Sequence, residues 1–247
     1  MPGMSISSVT KRGALIVLEG CDKAGKSTHS KLLIDALNAA GKVAHLINFP
    51  DRTTEIGKML DAYLRCQKEV KDESIHLLFS ANRWELLPKI QRLLLAGESV
   101  VLDRYAFSGV AFSVAKGTLD LNWCMSPDVG LLQPDQVIFL NLSETEAAAR
   151  GDFGRERYEQ TDFQKKVKQV FFELKDKDDS YWTVVETNRN KEDVHQEILQ
   201  LAMSTIKISE NKPILPLWGN IFNSSSTKGS SQNKGETKKI PAVHTTV

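Results

Sequence analysis

The stretch GCDKAGKS, residues 20–27, places Gly20, Gly25, Lys26 and Ser27 in the spacing G-x-x-x-x-G-K-[ST]. Glycines let backbone N–H groups curl around phosphate oxygens. A lysine brings a point charge to the terminal phosphates, and a hydroxyl at the helix start suits Mg²⁺. The apolar run ALIVLE stands before the loop and a helical pattern through Leu32, Leu33, Ala36 and Leu37 stands behind it. That context makes a nucleoside triphosphate the expected ligand and leaves open whether the chain is a switch, a motor or a transferase.

Four further segments carry residues that suit a second, acceptor ligand. Arg52 lies in NFPDRTTEIGKML, in a loop that should leave the same sheet edge as the phosphate loop. In HLLFSANRWE, Phe79 and Arg83 stand four apart, so an aromatic plane and a planar donor fork share one helix face and suit stacking on, and hydrogen bonding to, one base. Asp103 and Arg104 end an apolar run, where a Mg²⁺-associated carboxylate and a phosphate-binding arginine would be useful. GDFGRERYE, residues 151–159, reads as a basic flap that closes over phosphates and excludes water. Each has a blander reading: a solvated loop arginine, a core Phe beside a surface Arg, a helix cap with its ion pair, and a charged connector.

Two motif matches are decoys. Asn190-Lys191-Glu192-Asp193 fits the guanine-reading N-K-x-D element, but the D-x-x-G of a γ-phosphate switch is missing after the second and third strands, so a polar helix start is expected. Asp152-Phe153-Gly154 copies a protein-kinase triplet without the H-R-D loop that should accompany it.

These residues need elements to position them. Short apolar runs at ALIVLE, VAHLINF, SVVLD (99–103), QVIFLNL (136–142) and YWTVVET (181–187) alternate with amphipathic stretches, which predicts a parallel sheet covered on both faces by helices. Residues 73–95 read as one long helix, bent or restarted at Pro88. From Asn220 the chain turns rich in Ser, Asn, Lys and Gly and reads as a disordered tail, with Leu217 and Trp218 as the last apolar anchor.

The 247 residues suit one α/β domain plus tails, and a net charge of +1 argues against a broad nucleic-acid or membrane-binding face. Cys21, Cys66 and Cys124 are odd in number and far apart, which suggests neither a disulfide framework nor a zinc site and fits a reducing compartment. The first residues lack a signal-like apolar region, and the apolar runs are strand-length, so a cytoplasmic protein is expected, with nuclear or mitochondrial pools left open.

RGALIVLEG with its phosphate loop, NFPDRTTEIGK, HLLFSANRWE, DRYAFSGVAF, PDVGLLQPD and FGRERYE, in that order, closely resemble eukaryotic thymidylate kinases from about Arg12 to Trp218. The resemblance implies the P-loop nucleoside-monophosphate-kinase fold, with five parallel strands, over residues 12–219. A flexible segment 1–11, a lid at about 151–160 and a disordered tail 220–247 complete the expected organisation. It implies ATP and dTMP as substrates, Mg²⁺ as cofactor and a homodimer formed through helix faces such as that bearing Leu77, Leu78 and Ala81.

By resemblance, Gly20, Cys21, Asp22, Lys23, Ala24, Gly25, Lys26, Ser27 and Thr28 surround the donor phosphates, and Arg150 packs on adenine. Ser27 and Asp103 lie at the metal. Asp22 reaches the sugar 3′-hydroxyl of dTMP, while Arg52 and Arg104 grip its phosphate. Phe79 stacks on thymine, with Arg83 donating to O4 and Ser108 at the same edge; Phe49, Phe112 and Tyr158 complete the pocket, and Arg157 belongs to the lid. The expected catalytic group is Lys26, Asp22, Lys23, Arg104 and Arg157. The family commonly has arginine where this chain has Lys23, which keeps the charge and loses the bidentate fork. A kinase with a broader range of deoxynucleoside monophosphates, or a guanine-nucleotide switch, remains the alternative.

Overall fold

The strand β1 (Leu15–Glu19) is buried along its whole length, because helices cover both faces of the sheet and leave no polar side to alternate. Its residues still divide by period two. Leu15 and Val17 enter one apolar cluster, and Ile16 and Leu18 enter the other. The computed structural model describes residues 11–143, 146, 157–158 and 160–219. In it β1 is followed by α1 (Lys26–Ala39), β2 (Ala44–Asn48), α2 (Glu55–Leu64), α3 (Asp72–Leu95) and β3 (Ser99–Asp103). Next come α4 (Ala106–Val114), α5 (Leu121–Met125) with a 3₁₀ turn (Ser126–Asp128), and β4 (Gln136–Asn141). The helix α6 (Thr161–Lys177), the strand β5 (Trp182–Glu186) and the helix α7 (Lys191–Ser209) complete the described elements.

The five strands are all parallel, in the order β2-β3-β1-β4-β5, as the alternating pattern predicts. Side chains of α3, α4 and α6 fill the first cluster with Ile90, Leu94, Val110 and Phe171. Those of α1 and α7 fill the second with Leu33, Leu37, Val194 and Ile198. The chain leaves β1 for β2 on one side and reaches β4 on the other, so connections diverge at the carboxyl end of β1 and open a crevice there. The phosphate loop, the loop after β2 and the β3–α4 junction all face that edge.

The long helix expected over 73–95 is present: α3 runs from Asp72 to Leu95 with Pro88 inside it, so of the two readings at that proline the restart does not occur. Proline removes a single N–H, and Leu86, Leu87, Ile90, Leu93 and Leu94 pack against the core on either side of it, which outweighs the local cost of about 3 kcal/mol. Asn190 caps α7, its side chain accepting from the Asp193 N–H at 2.7 Å, so the helix-start reading of the N-K-x-D match holds. Leu217 and Trp218 are buried as expected. The tail from Asn220, the Asp152-Phe153-Gly154 triplet and most of the expected lid lie outside the described residues.

Candidate active site

Gly20 leaves β1 with φ 146°, and a β-carbon there would stand 2.6 Å from the Leu140 carbonyl oxygen. Only glycine lets the loop turn this close to β4. Lys23 (φ 66°) and Gly25 (φ 93°) are also left-handed, and α1 begins directly at Lys26. The Lys26 side chain folds back over the loop and its ammonium donates to the Cys21 carbonyl at 2.7 Å. Burial, with repulsion from Arg104, pulls its pKa down to about 8 despite Asp22, Asp103 and Glu19 nearby. The loop thus presents a lysine poised to gain from an incoming anion.

Asp103, at the end of β3, accepts the Ser27 hydroxyl at 2.6 Å. The next residue, Arg104, is held at φ 69°, a strained setting for a non-glycine residue, and its surroundings fix it there. Its backbone N–H reaches Leu18, its guanidinium pairs with Asp22 and donates to Ser108 Oγ at 3.1 Å, and its fork lies 5.3 Å from the centre of the Phe112 ring. Burial would raise the Asp22 carboxyl, but Arg104 and Lys26 outweigh it and hold the group below the usual carboxylate range. Asp22 is therefore an anion and an acceptor at neutral pH.

One cavity of about 750 Å³ joins these residues to an aromatic pocket. Asp22, Lys23, Lys26, Ser27 and Thr28 line one end; Phe49, Arg52, Phe79, Arg83, Phe112 and Tyr158 line the other, with Asp103, Arg104 and Ser108 between. Tyr158 stacks on Phe163 at 5.3 Å with the planes 15° apart and meets Phe112 edge-on at 5.5 Å. Arg83 is buried and donates from Nε and Nη2 to Asp128 at 3.1 and 2.6 Å. Arg52 pairs with Asp61 of α2 at the rim. The arrangement can hold two anions face to face, with an apolar and aromatic slot beyond one of them.

A family model described as Thymidylate kinase matches residues 18–198. Over 208 residues the chain is 50% identical to the thymidylate kinase of Homo sapiens, covering 84% of this chain and 98% of that one. Over 211 residues it is 47% identical to that of Schizosaccharomyces pombe, covering 84% of this chain and 100% of the relative. The solved thymidylate kinase of Candida albicans, described for its broad substrate specificity, superposes with a TM-score of 0.76 at 38% identity, covering 84% of this chain and 99% of that one. The chain belongs to the thymidylate kinase family.

Of the residues that the thymidylate kinase resemblance singles out, nearly all meet around the one cavity. Gly20, Cys21 and Ala24 form the wall of the loop rather than its lining: Ala24 is buried in the core under it, and the Cys21 thiol, pushed up to about 11 mainly by burial, donates to the Gln164 carbonyl at 3.6 Å. Arg157 does not line the cavity. Its guanidinium lies 4.1 Å from the centre of the Tyr63 ring, pairs with Glu69 and donates to the Lys68 carbonyl, so it clamps the chain beside Tyr158 onto the segment after α2. Ser108 lines the cavity with Arg83, as expected, and has a further part. Its hydroxyl is committed to Glu19 at 2.6 Å and to Arg104, so it positions the phosphate-side arginine as well as lining the cavity. Arg150 lies outside the described residues.

Three residues escaped the sequence reading. Glu19, the last residue of β1, is fully buried and accepts the backbone N–H groups of Tyr105 and Ser108 at 2.9 and 3.0 Å, supplying α4 with the cap its own sequence lacks. Burial raises its pKa against the hydrogen bonds from Ser108 and the charge of Arg104. A charged residue closing an otherwise apolar strand was the available signal. Gln164 of α6 makes a two-way contact with Asp22, accepting from its N–H at 2.9 Å and donating to its carboxylate at 2.8 Å. Asp128 holds Arg83. Neither Gln164 nor Asp128 stands near its partner in sequence; Asp128 lies in the PDVGLLQPD stretch, but nothing in that stretch points to Arg83.

Proposed function

We propose that this chain transfers the γ-phosphate of ATP to dTMP, giving ADP and dTDP on the route to dTTP. The observation that carries the reading is one cavity whose lining extends from the phosphate loop to Phe79 and Arg83, which supports a donor and a nucleoside-monophosphate acceptor bound phosphate to phosphate. The acceptor oxygen is already anionic near neutral pH, so no general base is needed and the protein's contribution is positioning and charge neutralisation. Lys23 and Lys26 serve the donor phosphates, Arg52 and Arg104 the acceptor phosphate, and the ionised Asp22 the sugar hydroxyl, with lone pairs to spare beyond Arg104 and Gln164.

Mg²⁺ suits the Ser27 and Asp103 pair, two hard oxygen donors at the loop edge that would hold it together with the phosphates. Bound there it supplies further charge neutralisation across the transferring group. Phe79 stacks on the thymine and Arg83 donates to its carbonyl edge. The thymine methyl then favours dTMP over dUMP by only about 1–3 kcal/mol. Cytosine points a donor at a donor and leaves buried groups unpaired, costing roughly 1–3 kcal/mol or more.

A homodimer through α3 fits the same reading. Leu77 and Trp84 are exposed on one face with Ala81 between them, whereas Leu78 turns inward onto the Leu60–Tyr63–Leu64 cluster. Leu77→Glu should shift the sedimenting species from dimer to monomer. The central test is ADP formation from Mg·ATP offered dTMP, dUMP, dCMP, dGMP, AMP or no acceptor. Strong dTMP dependence with weaker dUMP supports the assignment; acceptor-independent hydrolysis overturns it.

A further inference from the structure

Along α3, His76, Ser80 and Arg83 fall at successive turns of one face and are all buried, an unusual polar stripe inside a core. Every one of them is spent on the segment 124–128. His76 meets the Cys124 carbonyl at 2.8 Å and Ser113 Oγ at 2.7 Å. Ser80 donates to the Pro127 carbonyl at 3.1 Å and to Asp128 Oδ1 at 2.7 Å, and the Trp84 indole donates to the same Pro127 carbonyl at 2.7 Å. The 3₁₀ turn is thereby fixed to the helix before Arg83 is considered. What the turn presents is Asp128, 0% exposed, against Arg83, 2% exposed.

We propose that Asp128 is a specificity-determining positioning residue: from behind the cavity it holds the Arg83 fork so that one fixed donor edge meets the acceptor's base. A guanidinium carries five N–H donors in a rigid plane. Asp128 takes Nε and Nη2, and among the described residues no hydrogen bond engages Nη1, while Arg83 lines the cavity. From the other side α4 closes in at Gly109, where a β-carbon would stand 2.8 Å from both Nη1 and Nη2. Clamped between a carboxylate and a bare backbone, the fork has no room to swing away from a mismatched base. The carboxylate also offsets the arginine's charge locally, so the slot offers hydrogen-bond donors to a neutral base rather than a free cation to a phosphate. An unclamped arginine would relax toward either ligand and discriminate poorly, because donor-against-donor rejection needs a donor that cannot turn aside.

The inference rests on the base-reading role given to Arg83 above, and the experiment separates the two. Steady-state kinetics with dTMP and dCMP are measured for the full chain and for Asp128→Asn, Ser80→Ala and Arg83→Leu. Asn keeps the shape of Asp but offers an amide donor to the fork. Asp128→Asn should raise KM for dTMP about tenfold, change kcat about threefold or less, and lower the dTMP/dCMP ratio of kcat/KM at least about fivefold. Because breaking a buried pair threatens folding, Ser80→Ala is the milder companion: it loses one bond to Oδ1 and should move the ratio the same way by about two- to threefold. A purely structural Asp128 would scale both acceptors alike. An unchanged ratio in both variants, with Arg83→Leu still collapsing it, overturns the inference and leaves the base reading standing. An unchanged ratio in Arg83→Leu itself overturns the base reading, and the inference with it.

Discussion

Asp103, the last residue of β3, accepts the Ser27 hydroxyl at 2.6 Å and so ties one strand's end to the first turn of the helix that follows its neighbour β1. Parallel pairing sets this contact: Leu18 lies opposite Asp103, so the phosphate loop begins beside the end of β3. The pair offers adjacent hard oxygens at the site where the metal is proposed. Asp103→Asn should raise the Mg²⁺ concentration needed for half-maximal turnover by about 10–100-fold, the range seen when a metal site loses a supporting group. A Mg²⁺ titration of turnover decides it; an unshifted curve would separate Asp103 from the metal.

Lys26 should make donor binding depend on pH. Its pKa of about 8 in the free protein must rise when a triphosphate fills the loop, so binding takes up a proton at pH values above about 8. Below that pH both states are protonated and affinity is flat; above it affinity falls as pH rises. Calorimetry near pH 9 in two buffers of different ionisation heat, with Lys26→Met as control, measures the uptake. Equal heats in both buffers would contradict the shift.

His76 should weaken the fold in mild acid. Burial, with Arg83 adding to it, lowers its pKa below 6.5 in the folded state. The unfolded chain therefore binds the proton more readily, so this residue's stabilisation is intact above pH 6.5, falls as pH drops through that value, and stops falling below the folded pKa. Urea midpoints from about pH 7.5 to 5.5 should decline in the parent and decline less in His76→Gln.

Lys23 and Arg157 should differ in what their loss does. Lys23 lines the cavity beside the phosphate loop, whereas Arg157 lies off its lining, against Glu69 and the Tyr63 ring. Lys23→Ala should lower kcat by about tenfold or more through lost charge at the transferring group. Arg157→Ala should raise KM for dTMP by loosening Tyr158 while changing kcat about threefold or less. Abolished turnover in Arg157→Ala with unchanged turnover in Lys23→Ala would return the catalytic charge to the lid.

We propose further that the catalytic unit ends near Gly219, after the buried Leu217 and Trp218. Truncation after Gly219 should leave kcat and Tm unchanged, whereas removing Trp218 as well should lower Tm, since its ring packs edge-on against Phe107 at 5.8 Å.

The sequence by itself determined the phosphate loop, because glycine spacing, lysine and hydroxyl lie within a few residues and act through backbone geometry that neighbours dictate. It determined the parallel sheet as well, since strands covered on both faces must read as continuous apolar runs. The pairing of Phe79 with Arg83 was legible for the same reason, being a matter of helical period. What only the tertiary structure decided is how each charge is held. Glu19 against Ser108, Gln164 against Asp22 and Asp128 against Arg83 are contacts made across distant elements, where no local preference favours one partner over another. The same holds for Arg157, whose contacts with the Tyr63 ring and Glu69 no local pattern around it indicates. Residue type announces which groups can carry charge; burial and the direction of approach decide which of them remain free to meet a ligand.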